Sequence, residues 1–92
     1  MLSSRQIIAV LATVRHKNIS LAAAEIGMSR SGLSRALTQA EAALGVKLFD
    51  RSRVRISLTP HGELIFPLLN QIDGLYERLR CVDDLRQDSR RG

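Results

Sequence analysis

Tryptophan is absent from this 92-residue chain, and phenylalanine and tyrosine together supply three residues. A core so poor in rings has to be aliphatic, built from Leu, Ile, Val and Ala, and that composition favours helices over a sheet. The shortage also weakens a reading as a dedicated RNA binder, which needs rings for base stacking. Only Phe49, Phe66 and Tyr76 are available, and each stands where a core or an interface would use it. A single cysteine, Cys81, excludes an internal disulfide and reads as a surface or dimer-flank thiol in a reducing cytoplasm. No Cys/His cluster has metal-ligand spacing. No apolar run approaches the roughly 20 residues of a membrane span, and the first residues do not read as a signal-peptide h-region with a cleavage site. No Ser/His/Asp set, Gly-rich phosphate loop or carboxylate pair emerges. The chain therefore does not read as an enzyme, with no catalytic residue, metal or cofactor expected. His16 and His61 lie far apart, without an acid or thiol partner in the sequence pattern.

What is abundant is positive charge, unevenly spread. The formal net charge is +5 and the pI about 10.7. Residues 1–58 hold nine Lys/Arg (5, 15, 17, 30, 35, 47, 51, 53, 55) against three acids (25, 41, 50), a net +6; residues 59–92 come to −1. A basic half beside a near-neutral half favours a polyanionic partner for the first.

Capping chemistry divides the basic half into helices. Ser3 or Ser4 can open a first helix to about His16, with Ile7, Ile8, Val10, Leu11 and Val14 mostly on one face. Lys17-Asn18 reads as a turn, and Ser20 as the cap of a short helix over 21–26 that ends at Gly27. Small Ala22, Ala23 and Ala24 let two helices cross closely. Ser29 then caps a third helix to about Leu44, with Gly45 just past its end. Helix, a short Gly-containing turn, helix is a helix-turn-helix arrangement. Within the third helix Leu33, Leu37, Ala40 and Leu44 face inward, while Arg30, Ser31, Ser34, Arg35 and Thr38 face away from them. Arg and Ser side chains there suit guanine edges, other base edges and phosphates.

After Arg51-Ser52-Arg53, the stretch 54–58 (VRISL) alternates strictly, predicting a half-buried strand of five residues. Two short strands with an arginine-bearing loop make the wing of a winged helix. Thr59-Pro60 opens a long helix, along which Ile65, Leu68, Ile72, Leu75, Leu79 and Val82 step by three and four. That stripe predicts a dimer interface, because a helix extending past so small a domain has little of its own to pack on. Leu64, Leu69 and Tyr76 form a flanking stripe, and Pro67 should bend the axis. The expected organisation is a winged helix-turn-helix over 1–58, a linker and dimerisation helix over 59–86, and a flexible tail over 87–92.

Residues 19–62 resemble the DNA-binding region of LysR-type transcriptional regulators. The resemblance rests on the stretch at 20–24 (SLAAA), on Ser29, Leu33, Ser34, Leu37, Glu41 and Leu44-Gly45, and on Leu48-Phe49, Arg51, Leu58-Thr59 and Gly62. The spacing of LGVKLFDR followed by LTPHG is its most specific part, and with wing and following helix it extends over about 3–85. It implies that the helix at 30–44 is the recognition helix, with Arg30, Ser31, Ser34 and Arg35 at base- and phosphate-contacting positions. It implies that Arg51 and Arg53 reach the DNA backbone at the flanking minor groove, and that the long helix pairs two subunits. The partners so implied are duplex DNA with dyad-related half-sites and a second copy of the chain, in the bacterial cytoplasm at the nucleoid. An effector-sensing domain usually follows the linker helix in this family and is expected to be absent here, with no small-molecule ligand and no membrane partner. The chain departs from the family at Arg30, usually Gln, at Gly32, usually a small helix former, and at Ala40, usually Leu. A helical protein-interaction module is the competing reading, in which the stripe captures a partner protein and the basic half is incidental.

Overall fold

A computed structural model describes residues 1–52 and 55–91, with side chains as far as Val82. Among the described residues, four helices and a two-stranded antiparallel sheet follow one another as α1 (Ser4–His16), α2 (Ile19–Ile26), α3 (Arg30–Leu44), β1 (Phe49–Asp50), β2 (Ser57–Leu58) and α4 (Pro60–Arg91). This is the expected winged helix-turn-helix followed by a long helix.

Local chemistry sets most boundaries. The Ser3 hydroxyl accepts from the Gln6 N–H at 3.2 Å and the Gln6 amide oxygen accepts from the Ser3 N–H at 2.9 Å, a reciprocal cap. Lys17 ends α1 in the left-handed region, φ 53°, donating its N–H to the Thr13 carbonyl at 2.8 Å. The cap of α2 differs from expectation. Asn18, not Ser20, accepts from the Leu21 N–H, at 2.9 Å, so the helix starts two residues earlier and Ser20 is an exposed residue inside it. Once Lys17 turns the chain, the Asn18 carboxamide is the first side chain able to reach an orphan N–H. Gly27 closes α2 at φ 71° and Gly45 closes α3 at φ 73°, conformations that L side chains rarely adopt.

The core lies between the first three helices and is closed by the wing. Leu33 and Leu37 of α3 are fully buried against Ile7, Val10 and Leu11 of α1 and Ala22 and Ala23 of α2, and Leu48, Phe49 and Ile56 cap it. Ala24 is exposed and takes no part in the helix crossing. The buried Thr13 hydroxyl donates to the Ala9 carbonyl at 2.8 Å, so it costs no unpaired donor.

The wing pairs Phe49 with Leu58 and Asp50 with Ser57. The second strand is shorter than the five-residue alternation predicts: Arg55 is exposed and Ile56 buried as expected, but among the described residues only Ser57–Leu58 pairs, and Val54 lies outside them. The cause is in the opposite strand. The Asp50 carboxylate accepts from the Ser52 N–H at 2.9 Å and its hydroxyl at 2.6 Å, turning the chain away after two residues.

Thr59 joins wing to helix. Its hydroxyl donates to the Lys47 carbonyl at 2.6 Å and accepts from the Gly62 N–H at 3.0 Å, while its own N–H donates to the Leu48 carbonyl at 2.9 Å. From there α4 packs on α1 and β2, continuing through Pro67. It runs to Arg91, past the boundary expected at 86, so the backbone of 87–91 is helical rather than a separate tail; Gly92 lies outside the described residues. Between Leu75 and Arg91 the sequence has no Gly or Pro to interrupt the helix.

Candidate nucleic-acid interface

Folding of α3 separates its residues by chemistry. With the leucines turned into the core, Arg30, Ser31, Arg35 and Thr38 are exposed and Ser34 is half-buried. Arg30 and Thr38 stand about 12 Å apart along the helix axis, at about 1.5 Å per residue, so the set forms an edge rather than a point. At its start the Ser29 hydroxyl accepts from the Gly32 N–H at 3.0 Å and lies 3.4 Å from the Ser31 hydroxyl. Ser29 is thus the cap, and the neighbouring hydroxyl remains at the surface. The Thr38 hydroxyl donates to the Ser34 carbonyl at 3.1 Å, leaving its oxygen able to accept.

Two depressions flank this edge. One, of about 490 Å³, runs between α3 and the wing and is lined by Thr38, Lys47, Asp50, Arg51 and Thr59, with Glu41 beneath. The structure therefore brings the last of the α3 set, Thr38, together with the first wing arginine. Arg53 lies outside the described residues. The other depression, of about 290 Å³, lies between the start of α1 and α3 and is lined by Arg5, Gln6, Arg35 and Gln39. The Gln6 side chain donates to that of Gln39 at 3.3 Å across it. Arg5 thus shares a groove with Arg35, a neighbour that no spacing rule in the sequence would reveal because 30 residues separate them.

Glu41, which the sequence offers only as a position of the resemblance, has a role that sequence reasoning missed. It is 6% exposed, and one carboxylate oxygen accepts from the N–H groups of Leu48 and Phe49, at 2.8 and 3.2 Å. The other lies 3.6 Å from an Arg51 nitrogen. An acid next to a run of alanines reads as solvated surface; only the return of the chain after Gly45 supplies the donors that bury it. His16 also differs from expectation, having an acid partner: its Nε2 lies 2.9 Å from the Glu25 carboxylate, both oxygens of which also accept from one guanidinium nitrogen of Arg15 at 3.0 Å. Hydrogen bonds from Arg15 first, and from His16 second, hold the Glu25 carboxyl below its ordinary value of 4.5.

On α4 the stripe is divided. Ile65 is half-buried against the domain's own core, and the flanking Leu69 is 2% exposed, fully part of that core. The helix has to lay one side on α1, and Leu69 is on that side. Leu68, Leu75, Leu79 and Val82 are between 53% and 64% exposed, and Ile72 37%. Cys81 is exposed. Among the described residues no helix is long and apolar enough to cross a membrane, and no three His, Cys, Asp or Glu are grouped to hold a metal ion.

Residues 4–63 match the model of the bacterial regulatory helix-turn-helix proteins of the lysR family. The chain belongs to that family. As a LysR-family chain it carries the DNA-binding helix-turn-helix domain of a transcriptional regulator, not an enzyme. It is 35% identical over 83 residues to the HTH-type transcriptional regulator PtxR of Pseudomonas aeruginosa, covering 86% of this chain and 27% of that protein. It thus spans about a quarter of the length of such relatives. Among solved structures it superposes on Vibrio fischeri DarR in complex with DNA with a TM-score of 0.85 at 26% identity, over 95% of this chain and 30% of that one. The CbnR DNA-binding domain in complex with DNA gives 0.83 at 27% identity, over 91% of this chain and 97% of that one.

Proposed function

We propose that the chain binds duplex DNA sequence-specifically as a homodimer, in the bacterial cytoplasm. In this reading α3 enters the major groove, Arg30, Ser31, Ser34, Arg35 and Thr38 meet base edges and phosphates, and Arg51 and Arg53 meet the flanking backbone. The observation that carries it is the exposed polar edge of α3 opposite the fully buried Leu33 and Leu37, with Leu44 half-buried at its end. The DNA complexes of the similar DarR and CbnR support it. For pairing, the support is the apolar surface left open on α4: a run of half-exposed leucines at heptad spacing is costly in water and is relieved by a second copy running antiparallel. A two-fold pair of domains presents two α3 helices and calls for dyad-related half-sites.

Selection of bound sequences from a random DNA pool, with the stoichiometry of the same complexes, tests this directly. An inverted repeat bound by two chains is the expected result. A helical interaction module, in which α4 captures a different protein, would give no salt-sensitive retardation of any duplex.

A further inference from the structure

We infer that Glu41 is a positioning residue for the DNA-backbone contact: its buried carboxylate sets the Arg51 guanidinium at the cleft between α3 and the wing before DNA arrives. This rests on the reading above that Arg51 meets a phosphate.

Glu41 is the one buried acidic side chain among the described residues. A carboxyl group so nearly out of water needs compensating partners. Its two oxygens are used differently. Oε2 accepts from both the Leu48 and Phe49 N–H groups, which pins the start of β1 onto α3. Oε1 takes no part in that staple and faces Arg51 at 3.6 Å. The staple alone would need one oxygen; the second gives the wing arginine a fixed counter-charge on the recognition helix itself. Arg51 is the side chain suited to the other end, since a guanidinium has five N–H donors in a rigid fork and one nitrogen directed at Glu41 leaves donors for a second anion. Its side chain is 35% exposed, so it remains within reach of a partner at the surface. Thr38 lines the same cleft, so the guanidinium is registered against the base-reading edge. Holding a long side chain in place beforehand removes part of the rotamer entropy that binding would otherwise cost.

Glu41→Gln separates the two roles. The amide oxygen can accept from Leu48 and Phe49 as Oε2 does, and an uncharged NH2 then stands where Oε1 held Arg51. Binding to a random-sequence DNA duplex is measured against salt for the wild type, Glu41→Gln, Arg51→Ala and the double variant, with amide exchange at Leu48 and Phe49 as the check on the staple. The inference expects Glu41→Gln to keep the protection of both amides and, although it removes a negative charge, to lower affinity by about 2- to 10-fold at each salt concentration. Arg51→Ala should flatten the salt slope by about 0.9, one phosphate, which between 50 and 200 mM salt is about 3.5-fold less loss of affinity. In the Arg51→Ala background Glu41→Gln should lower affinity no further. Affinity of Glu41→Gln equal to or above that of the wild type, beside a flattened slope in Arg51→Ala, would overturn the inference and leave the phosphate contact standing. An unchanged slope in Arg51→Ala would overturn both. A lowered affinity accompanied by lost protection would assign the effect to the staple, and the inference would fail. The unliganded wild type gives a reading independent of any variant: guanidinium rotation at Arg51 should be slower than at Arg30 and Arg35, and equal rates would contradict the inference.

Discussion

Gly62 sits against the carbonyl oxygen of Leu48, in the first turn of α4, with no room between them for a methyl group. The same carbonyl accepts from the Thr59 N–H, so it is fixed in place. We predict that Gly62→Ala, although placed in a helix where alanine is the better former, destabilises the fold by about 1–3 kcal/mol through overpacking against backbone. Urea denaturation measures it; a stabilised variant would mean that the joint between wing and α4 is looser than described.

Leu37 and Leu75 are the same residue type in opposite settings, one fully buried in α3 and one 54% exposed on α4. Leu37→Ala should cost about 2–5 kcal/mol. Leu75→Asp should leave the unfolding of the domain itself nearly unchanged while shifting sedimentation from dimer to monomer. A dimer that survives Leu75→Asp paired with Leu79→Asp would remove α4 as the pairing surface.

The Arg15–Glu25 pair between α1 and α2 should make stability depend on acid pH. Because the Glu25 carboxyl is held below 4.5 in the folded chain, its contribution is fully present above that ordinary value and is lost as pH falls through the folded value. Glu25→Gln should therefore lose less stability than the wild type on acidification below about pH 5. Denaturant midpoints of the two proteins across that range check it, and parallel curves would show that the pair contributes nothing.

Much of this architecture is legible in the sequence because it is set by neighbours in the chain. The caps at Ser3, Ser29 and Thr59, the αL stops at Gly27 and Gly45 and the inward leucines of α3 need only local rules. What escaped depends on segments meeting in space. Asn18 and Ser20 are both competent caps, and the turn at Lys17 decides between them. Leu69 falls beside the heptad stripe, yet the side of α4 that is buried is chosen by α1. The alternation at 54–58 is real at Arg55 and Ile56, but strand length is limited by the partner, which Asp50 turns away. The outward residues of α3 were legible as a set; the groove that Arg5 shares with Arg35 and the carboxylate behind Arg51 were not, because each joins positions from different elements.

The exposed edge of α3 is tested most directly at Arg35. Affinity of wild type and Arg35→Ala should be compared on the selected site and on a scrambled duplex of the same length and salt. We expect a loss of about 1–3 kcal/mol on the selected site, with relaxed preference at one base position and a smaller, uniform loss on the scrambled duplex. Wild-type affinity of Arg35→Ala for the selected site would contradict the assignment of α3 as the helix that reads DNA.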